Sequence, residues 1–174
     1  MDATGVLVAQ HRTIDGLFEA IHQETRRRRL TSLVSRLAEE LIAHLAAEEA
    51  VFYPAMRRVL DDGPETSDRG CNEHLQLRVE LRRVLEASIG DESFAQRMAG
   101  MRELFQLHVH REEGELFPRL ARALSPSRLQ ALGDEIVASR PPVWIVTQEG
   151  RSLVQSNGEW SLRSRVSLPL PARR

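Results

Sequence analysis

The chain carries a single cysteine, Cys71, in 174 residues. No disulfide can close within it, which excludes a disulfide-stapled scaffold and suits a reducing compartment. The cytoplasm is the expected location. Long apolar runs are also missing. Nothing approaches the roughly 18 consecutive apolar residues of a membrane-spanning helix, so no membrane association is expected. The N-terminal MDATGVLVAQHR has neither an early basic region nor a long apolar stretch, so it is not read as a secretion signal. Neither sign of charge dominates. The chain has 24 basic and 25 acidic residues and a formal net charge of −1, which gives no general attraction for nucleic acid. The one local exception, Arg26-Arg27-Arg28-Arg29, is read as a solvated turn between helices.

What the sequence does have is apolar spacing of helical period through most of its first 139 residues. A first helix carries Val6, Ile14, Leu17, Phe18 and Ile21 and ends near the arginine run. Thr31 and Ser32 are the expected caps of a second, whose stripe is Leu33, Leu37, Leu41, Leu45 and Phe52. Residues 61–70, DDGPETSDRG, are expected to form a loop. A third helix carries Leu75, Val79, Leu81 and Leu85 and should stop at Gly90. Asp91 or Ser93 can cap a fourth, with Phe94, Met98, Met101, Phe105 and Leu116 on its stripe. Ser125-Pro126 opens a short fifth helix ending near Ser139. Long helices joined by short loops favour antiparallel neighbours. The expected fold is therefore all-α: an up-and-down antiparallel four-helix bundle plus a short fifth helix, over residues 1–139. Residues 140–174 are read as a C-terminal tail with the pattern of a β-hairpin, from their β-branched residues and the Asn157-Gly158 turn signal.

One feature is specific. HLAAEEAVFYP at 44–54 is respelled as HVHREEGELFP at 108–118. Pro118 minus Pro54, Glu112 minus Glu48 and His108 minus His44 each give 64, and His74 minus His11 gives 63. The bundle thus reads as a duplicated helix hairpin with a pseudo-twofold axis. Positions i and i+4 lie roughly 40° apart on a helix, so His44 and Glu48 share a face, as do His108 and Glu112. That face is also apolar. An isolated carboxylate in an apolar core costs several kcal/mol, so something must compensate for two. Metal cations held by His11, His44, Glu48, His74, His108 and Glu112 would do so. Mixed imidazole and carboxylate ligands suit iron, manganese or zinc, and two metals bridged by the glutamates fit the duplication best.

With HRTID at 11–15 and EHLQL at 73–77 added to the two long copies, residues 5–122 resemble the hemerythrin-like, or HHE cation-binding, family. The resemblance implies a four-helix bundle around two non-heme iron ions with bridging carboxylates and an oxo or hydroxo bridge. Manganese and zinc rank below iron. By position the same six residues would be its ligands. Two departures stand out. Arg78 stands where respiratory hemerythrins have a further histidine, and Glu113 stands at the offset of their ligand aspartate, while the repeat favours Glu112. These argue against reversible oxygen carriage. They point to reaction with oxygen, peroxide or nitric oxide, with peroxide removal in oxidative stress the most concrete version. The alternatives are an iron- or oxygen-sensing module whose tail binds a protein partner, and a metal-free structural bundle.

Four further residues are candidates for supporting or extra-ligand roles: Asp15, Arg78, Glu113 and Tyr53. Asp15 is expected to bond a ligand or pair with Arg78, since residues around a metal-bound imidazole orient it. Tyr53 and the equivalent Phe117 are expected as packing. Glu49, about 100° round from Glu48, is expected to be solvated and His110 exposed, while His22 lies on the face of His11 but about three turns away, too far for the same site. Pro54 and Pro118 remove backbone bonds to the carbonyls of Ala50 and Gly114, so each helix should distort there.

Overall fold

A computed structural model gives the fold, and it describes residues 1–139, 144–146, 151–156 and 159–164. The chain divides into two units, Met1–Pro141 and Pro142–Arg174. The first is helical. Helix α1 (Ala3–Gln23) and α2 (Arg27–Ala47) form one hairpin; α4 (Gly63–Glu86) and α5 (Glu92–Arg111) form the other. Contacts of α1 with α5 and of α2 with α4 join the hairpins into an antiparallel four-helix bundle. Short helices α3 (Tyr53–Val59) and α6 (Phe117–Ala123) prolong α2 and α5. Helix α7 (Pro126–Ala138) packs on α1, with Ser125 as its N-cap accepting from the Arg128 N–H.

Between α2 and α3, residues Glu48–Phe52 form a π turn, and Glu112–Leu116 repeat it between α5 and α6. The prolines explain both. Pro54 and Pro118 have no N–H to return one turn back, so the ladder is already broken there. The preceding Tyr53 and Phe117 N–H groups bond instead to the carbonyls of Glu48 and Glu112, five residues back. Such wide turns occur mostly at functional sites. Here each one starts on a buried glutamate.

Several boundaries and faces differ from the sequence expectation. The 61–70 loop shrinks, because Pro64 sits in the first turn of α4 and that helix begins at Gly63. The arginine run opens α2 rather than forming a turn. Glu24 organises the bend, accepting from the backbone N–H of Thr25 and Arg26 and pairing with Arg26 and Arg29. Thr31 is not a cap; its hydroxyl donates to the Arg27 carbonyl inside the helix. From His74 onward the buried residues of α4 are His74, Leu77, Leu81 and Val84, while Leu75 and Leu85 are exposed. Leu81 lies inward as expected; counted from the inward His74, Leu77 and Val84 share its face, and Leu75 and Leu85 do not. Helix α4 ends at Glu86, and Gly90 lies beyond it with φ +100°, a left-handed turn position suited to glycine.

The second unit is a three-stranded antiparallel sheet: β1 (Trp144–Val146), β2 (Arg151–Ser156) and β3 (Glu159–Ser164). Strands β2 and β3 pair with Ser156 opposite Glu159, as in a hairpin. The Asn157-Gly158 turn signal lies outside the described residues.

Candidate metal centre

Among the described residues the buried polar side chains are Ser67, whose hydroxyl bonds to backbone carbonyls, and one layer of imidazoles and carboxylates. Buried Leu7 and Ile14 flank His11 on α1; Leu41 and Leu45 flank His44 on α2; Leu77 follows His74 on α4; Phe105 precedes His108 on α5. All four imidazoles and the carboxylates of Glu48 and Glu112 are at most 1% exposed. One ligand atom from each of His11, His44, Glu48, His108 and Glu112 lies within 4.8 Å of all the others. His74 stands just outside that tight set, with Nε2 3.1 Å from Glu48 Oε2.

Glu48 is central. Its Oε1 lies 3.3 Å from His44 Nε2 and 3.9 Å from His11 Nε2. Its Oε2 lies 3.1 Å from His74 Nε2 and 3.5 Å from His108 Nε2. One carboxylate therefore offers an oxygen to each pair of histidines. Glu112 Oε2 is 3.4 Å from His11 Nε2 and 3.5 Å from His108 Nε2. Both oxygens of Glu48, Oε2 of Glu112 and the Nε2 atoms of His11, His44 and His108 have no hydrogen-bond partner among the described residues. Six buried, orphaned polar atoms facing one another are what a metal-ligand set looks like before its cation is counted.

The outer nitrogens explain the orientation. His11 Nδ1–H donates to Glu113 at 3.0 Å and His74 Nδ1–H donates to Glu49 at 2.8 Å. His44 Nδ1–H donates to Gln10 at 2.9 Å and His108 Nδ1–H to Glu73 at 3.3 Å. Each bond fixes the tautomer that leaves Nε2 as a bare lone pair pointing inward. The bonds also obey the duplication. Glu49 and Glu113 are equivalents, 64 apart, and each clamps the histidine of the opposite hairpin. Arg78 braces Glu49 through two hydrogen bonds, and Arg12 braces Glu113 at 2.7 Å.

The sequence profile of the hemerythrin HHE cation-binding domain matches residues 2–120. This chain belongs to that family. A solved relative, a hemerythrin HHE cation-binding domain-containing protein from Mycobacterium kansasii, superposes with a TM-score of 0.71 at 21% identity, covering 79% of this chain and 84% of its own. A curated protein of Nostoc sp. (strain PCC 7120), described as a DNA nickase, is 23% identical over 143 residues. That match takes in 82% of this chain, which spans 40% of the Nostoc protein's length. Among the described residues, no helix is long and apolar enough to cross a membrane.

In this HHE domain the charges of the cluster are set against burial. Burial pushes Glu48 up, but His44 foremost, with His108 and His74, outweighs it and holds Glu48 well below the usual carboxylate range. Glu112 is raised, first by burial and then by the charge of Glu48. Burial takes His44 down to about 3, only partly opposed by Glu48, so it stays neutral. His108 is raised to about 10 despite its burial, because Glu112, Glu48 and Glu73 surround it. The carboxylates thus hold His11, His74 and His108 toward their protonated forms, and a bound cation would take the place of those protons.

The remaining sequence candidates fall into different roles. Tyr53 is buried and does more than pack: its hydroxyl lies 3.0 Å from His74 Nε2 and 3.1 Å from Glu112 Oε1. A phenol has one proton to donate, so it satisfies one of these and accepts from or faces the other. Burial, then the charges of Glu48 and Glu112, push its pKa upward, so it stays protonated beside the cluster. Glu113 lies outside the cluster as the clamp of His11, and Arg78 outside it as the brace of Glu49. Glu49 is a correction: it is not solvated, because a 100° turn away from the bundle axis aims it at the neighbouring helix α4. Asp15 is a second correction. Arg78 is already taken by Glu49, and Asp15 pairs with Arg102 at 3.5 Å. His22, His110 and Cys71 are exposed.

Three residues of the site went unread in the sequence. Gln10 and Glu73 immediately precede His11 and His74, at equivalent repeat positions, and that polar pair was the available signal. Gly70, assigned to a loop, is buried in α4 against Tyr53. A Cβ there would fall 2.5 Å from the phenol oxygen, so only glycine lets the tyrosine reach inward.

Proposed function

We propose that the cluster holds two iron ions and that the protein reacts with peroxide, oxygen or nitric oxide there, with peroxide disproportionation as the favoured reaction. The observation that carries this reading is the set of four Nδ1–H bonds, which turn four Nε2 atoms toward Glu48, neither of whose oxygens has a hydrogen-bond donor, and toward Glu112, whose Oε1 accepts from Tyr53 alone. His11 and His44, with Glu48 Oε1, would hold one ion; His74 and His108, with Glu48 Oε2, the other; Glu112 would complete the set. Two ligand nitrogens per ion and shared carboxylates suit iron. When bound, the ions supply the electrons and Lewis acidity of the reaction.

The chain's own residues do the rest. The buried leucines and phenylalanines exclude water. The clamps of Glu49 and Glu113 hold imidazole orientation and raise its basicity. Tyr53 stays protonated and holds its hydroxyl 3.1 Å from Glu112 Oε1, donating a hydrogen bond that orients that carboxylate. No side-chain nucleophile is required. DNA nicking is the activity named for the Nostoc protein, of which this chain spans 40%.

The test is metal analysis of purified protein, with about two irons per chain expected, followed by oxygen release on adding peroxide. A folded, metal-free preparation that takes up no iron overturns the reading. The separate C-terminal unit supports a second reading, an iron or oxygen sensor in which metal occupancy sets bundle stability. Absent turnover, together with partner binding that changes on metal removal, would select it. A metal-free structural bundle leaves Glu48 buried with neither oxygen hydrogen-bonded, and only the charge of the facing imidazoles offsets that burial.

A further inference from the structure

The duplication is broken where the cluster comes nearest to solvent. Helices α4 and α5 border a groove lined by Arg69, Glu73, Gln76, Leu107, His108 and Arg111. His108 is the residue shared by groove and cluster: its Nδ1 meets Glu73, while its Nε2 lies 3.5 Å from both Glu48 and Glu112. A single imidazole thus separates the outside from the orphaned carboxylates.

Arg111 is the odd group in this groove. Its side chain is only 9% exposed, and Nη2 lies 2.8 Å from Glu73 Oε2. The Glu73 contact is an ion pair without hydrogen-bond geometry, and neither Nε nor Nη2 has a hydrogen-bond partner among the described residues. A guanidinium has five N–H donors and remains charged, so burying one with a donor unused is costly. Its counterpart Glu73 is 25% exposed and shared with His108 and Arg69. A shared, partly wetted pair is weak enough to part. The other hairpin has nothing of the kind. The residues equivalent to Arg111 and Glu73 are Ala47 (111 minus 64) and Gln10 (73 minus 63), both uncharged.

We propose that small monovalent anions, of which azide and the hydroperoxide anion are the type, reach the metal cluster through this groove, received by Arg111 as it parts from Glu73 beside His108. The planar guanidinium supplies attraction and parallel donors to an anion. Glu73, released, swings toward solvent and reduces the repulsion that the acidic cluster would otherwise present. The inference rests on the proposed reading of the cluster as a metal centre.

The test uses the full chain loaded with iron, with iron per chain measured first. Failure to bind iron overturns the metal reading and this route with it. Given bound iron, azide association is followed by rapid mixing and optical absorbance in wild type, Arg111→Met, Leu107→Trp and Val137→Trp. Leu107 and Val137 are 68% and 65% exposed, so a larger side chain is accommodated at either. Arg111→Met should slow azide association about tenfold or more and flatten its dependence on ionic strength, as loss of a steering charge does. Leu107→Trp, which narrows the groove, should slow azide and uncharged nitric oxide alike, whereas Arg111→Met should spare nitric oxide. Val137→Trp on α7 should change neither. Azide rates within twofold of wild type in both Arg111→Met and Leu107→Trp, at unchanged iron content, overturn the route alone. Slowing in Arg111→Met with Leu107→Trp at the wild-type rate also overturns it, since the charge would then act from outside the path.

Discussion

The two hairpins share the residues of the cradle and differ in those around it. Both supply an imidazole from the leading helix, a His and Glu one turn apart from the trailing helix, a π turn closed by proline, and a second glutamate that reaches across to the other hairpin. The differences are concentrated at equivalent positions. Tyr53 faces Phe117, which stacks on His11 at 5.8 Å. Gly70 stands where the first hairpin has buried Leu7, Glu73 where it has Gln10, and Arg111 where it has Ala47. Duplication accounts for a symmetric cradle. The phenol, the extra carboxylate and the guanidinium all fall on one side of it, the side of His74 and His108. Two metals held here would be alike in their nearest donors and unlike in everything that touches those donors.

The largest expected effect tests the symmetric part. Glu48 meets all four histidines, whereas Glu112 Oε2 meets His11 and His108 only. Glu48→Gln should therefore abolish binding of both irons, while Glu112→Gln should leave partial occupancy. Iron per chain, measured on the two variants side by side, checks this; equal losses would make the carboxylates true equivalents. Next in size come the clamps. Glu49→Gln and Glu113→Gln each weaken the orientation of one imidazole, and partners of metal-bound histidines are worth about 10–100-fold in affinity. The Glu49→Gln loss should be the larger, because Arg78 braces Glu49 through two hydrogen bonds and Arg12 braces Glu113 through one. A chelator-competition titration of both variants reads it, and equal losses would show that the arginine braces add nothing to the clamps.

Gly70→Ala comes third and probes the asymmetric part. Its Cβ must displace Tyr53, an overpacking that costs about 1–3 kcal/mol, read by denaturant unfolding of the metal-free protein. Adding Tyr53→Phe to Gly70→Ala should not recover the loss, because the ring carbon beneath the hydroxyl would also lie 2.5 Å from the new methyl. Tyr53→Leu should.

These positions also mark how far the sequence can be read. The bundle and the six inward residues were legible because duplication repeats them at a fixed offset and helical geometry puts them on one face. The fifth helix was legible from its Ser-Pro start. What was not legible depends on how helices face one another. Glu49 was expected in water because a single helix has an inside and an outside; in a bundle the flank of one helix meets the next, and Glu49 finds His74 and Arg78 there. Asp15 was paired with the wrong arginine for the same reason, since which arginine of α4 or α5 lies opposite is a property of the crossing. On α4 the inward His74 and Leu81 were legible, but Leu75 and Leu85 were taken for places on the stripe that Leu77 and Val84 fill. Gly70 has no meaning until Tyr53 is known to cross into α4.

The smallest expected effect would sharpen the comparison most. Gln10 accepts from His44 Nδ1 as a neutral amide, and Glu73 accepts from His108 Nδ1 as a carboxylate. A carboxylate partner makes an imidazole a stronger donor to a bound cation than an amide does, and stronger donation favours the more oxidised, more positively charged metal. Gln10→Glu copies the second hairpin into the first without touching a ligand, whereas Glu73→Gln does the reverse. The first change should lower the reduction potential of the iron pair and the second should raise it, each with iron content held near the wild-type value. Magnetic spectroscopy of the iron gives a second readout. If Gln10 against Glu73 is what sets the two metal positions apart, wild type should give two distinguishable iron signals, and Gln10→Glu should bring them closer together. Potentials that move in the same direction in both variants would show that the amide and the carboxylate act through packing rather than charge.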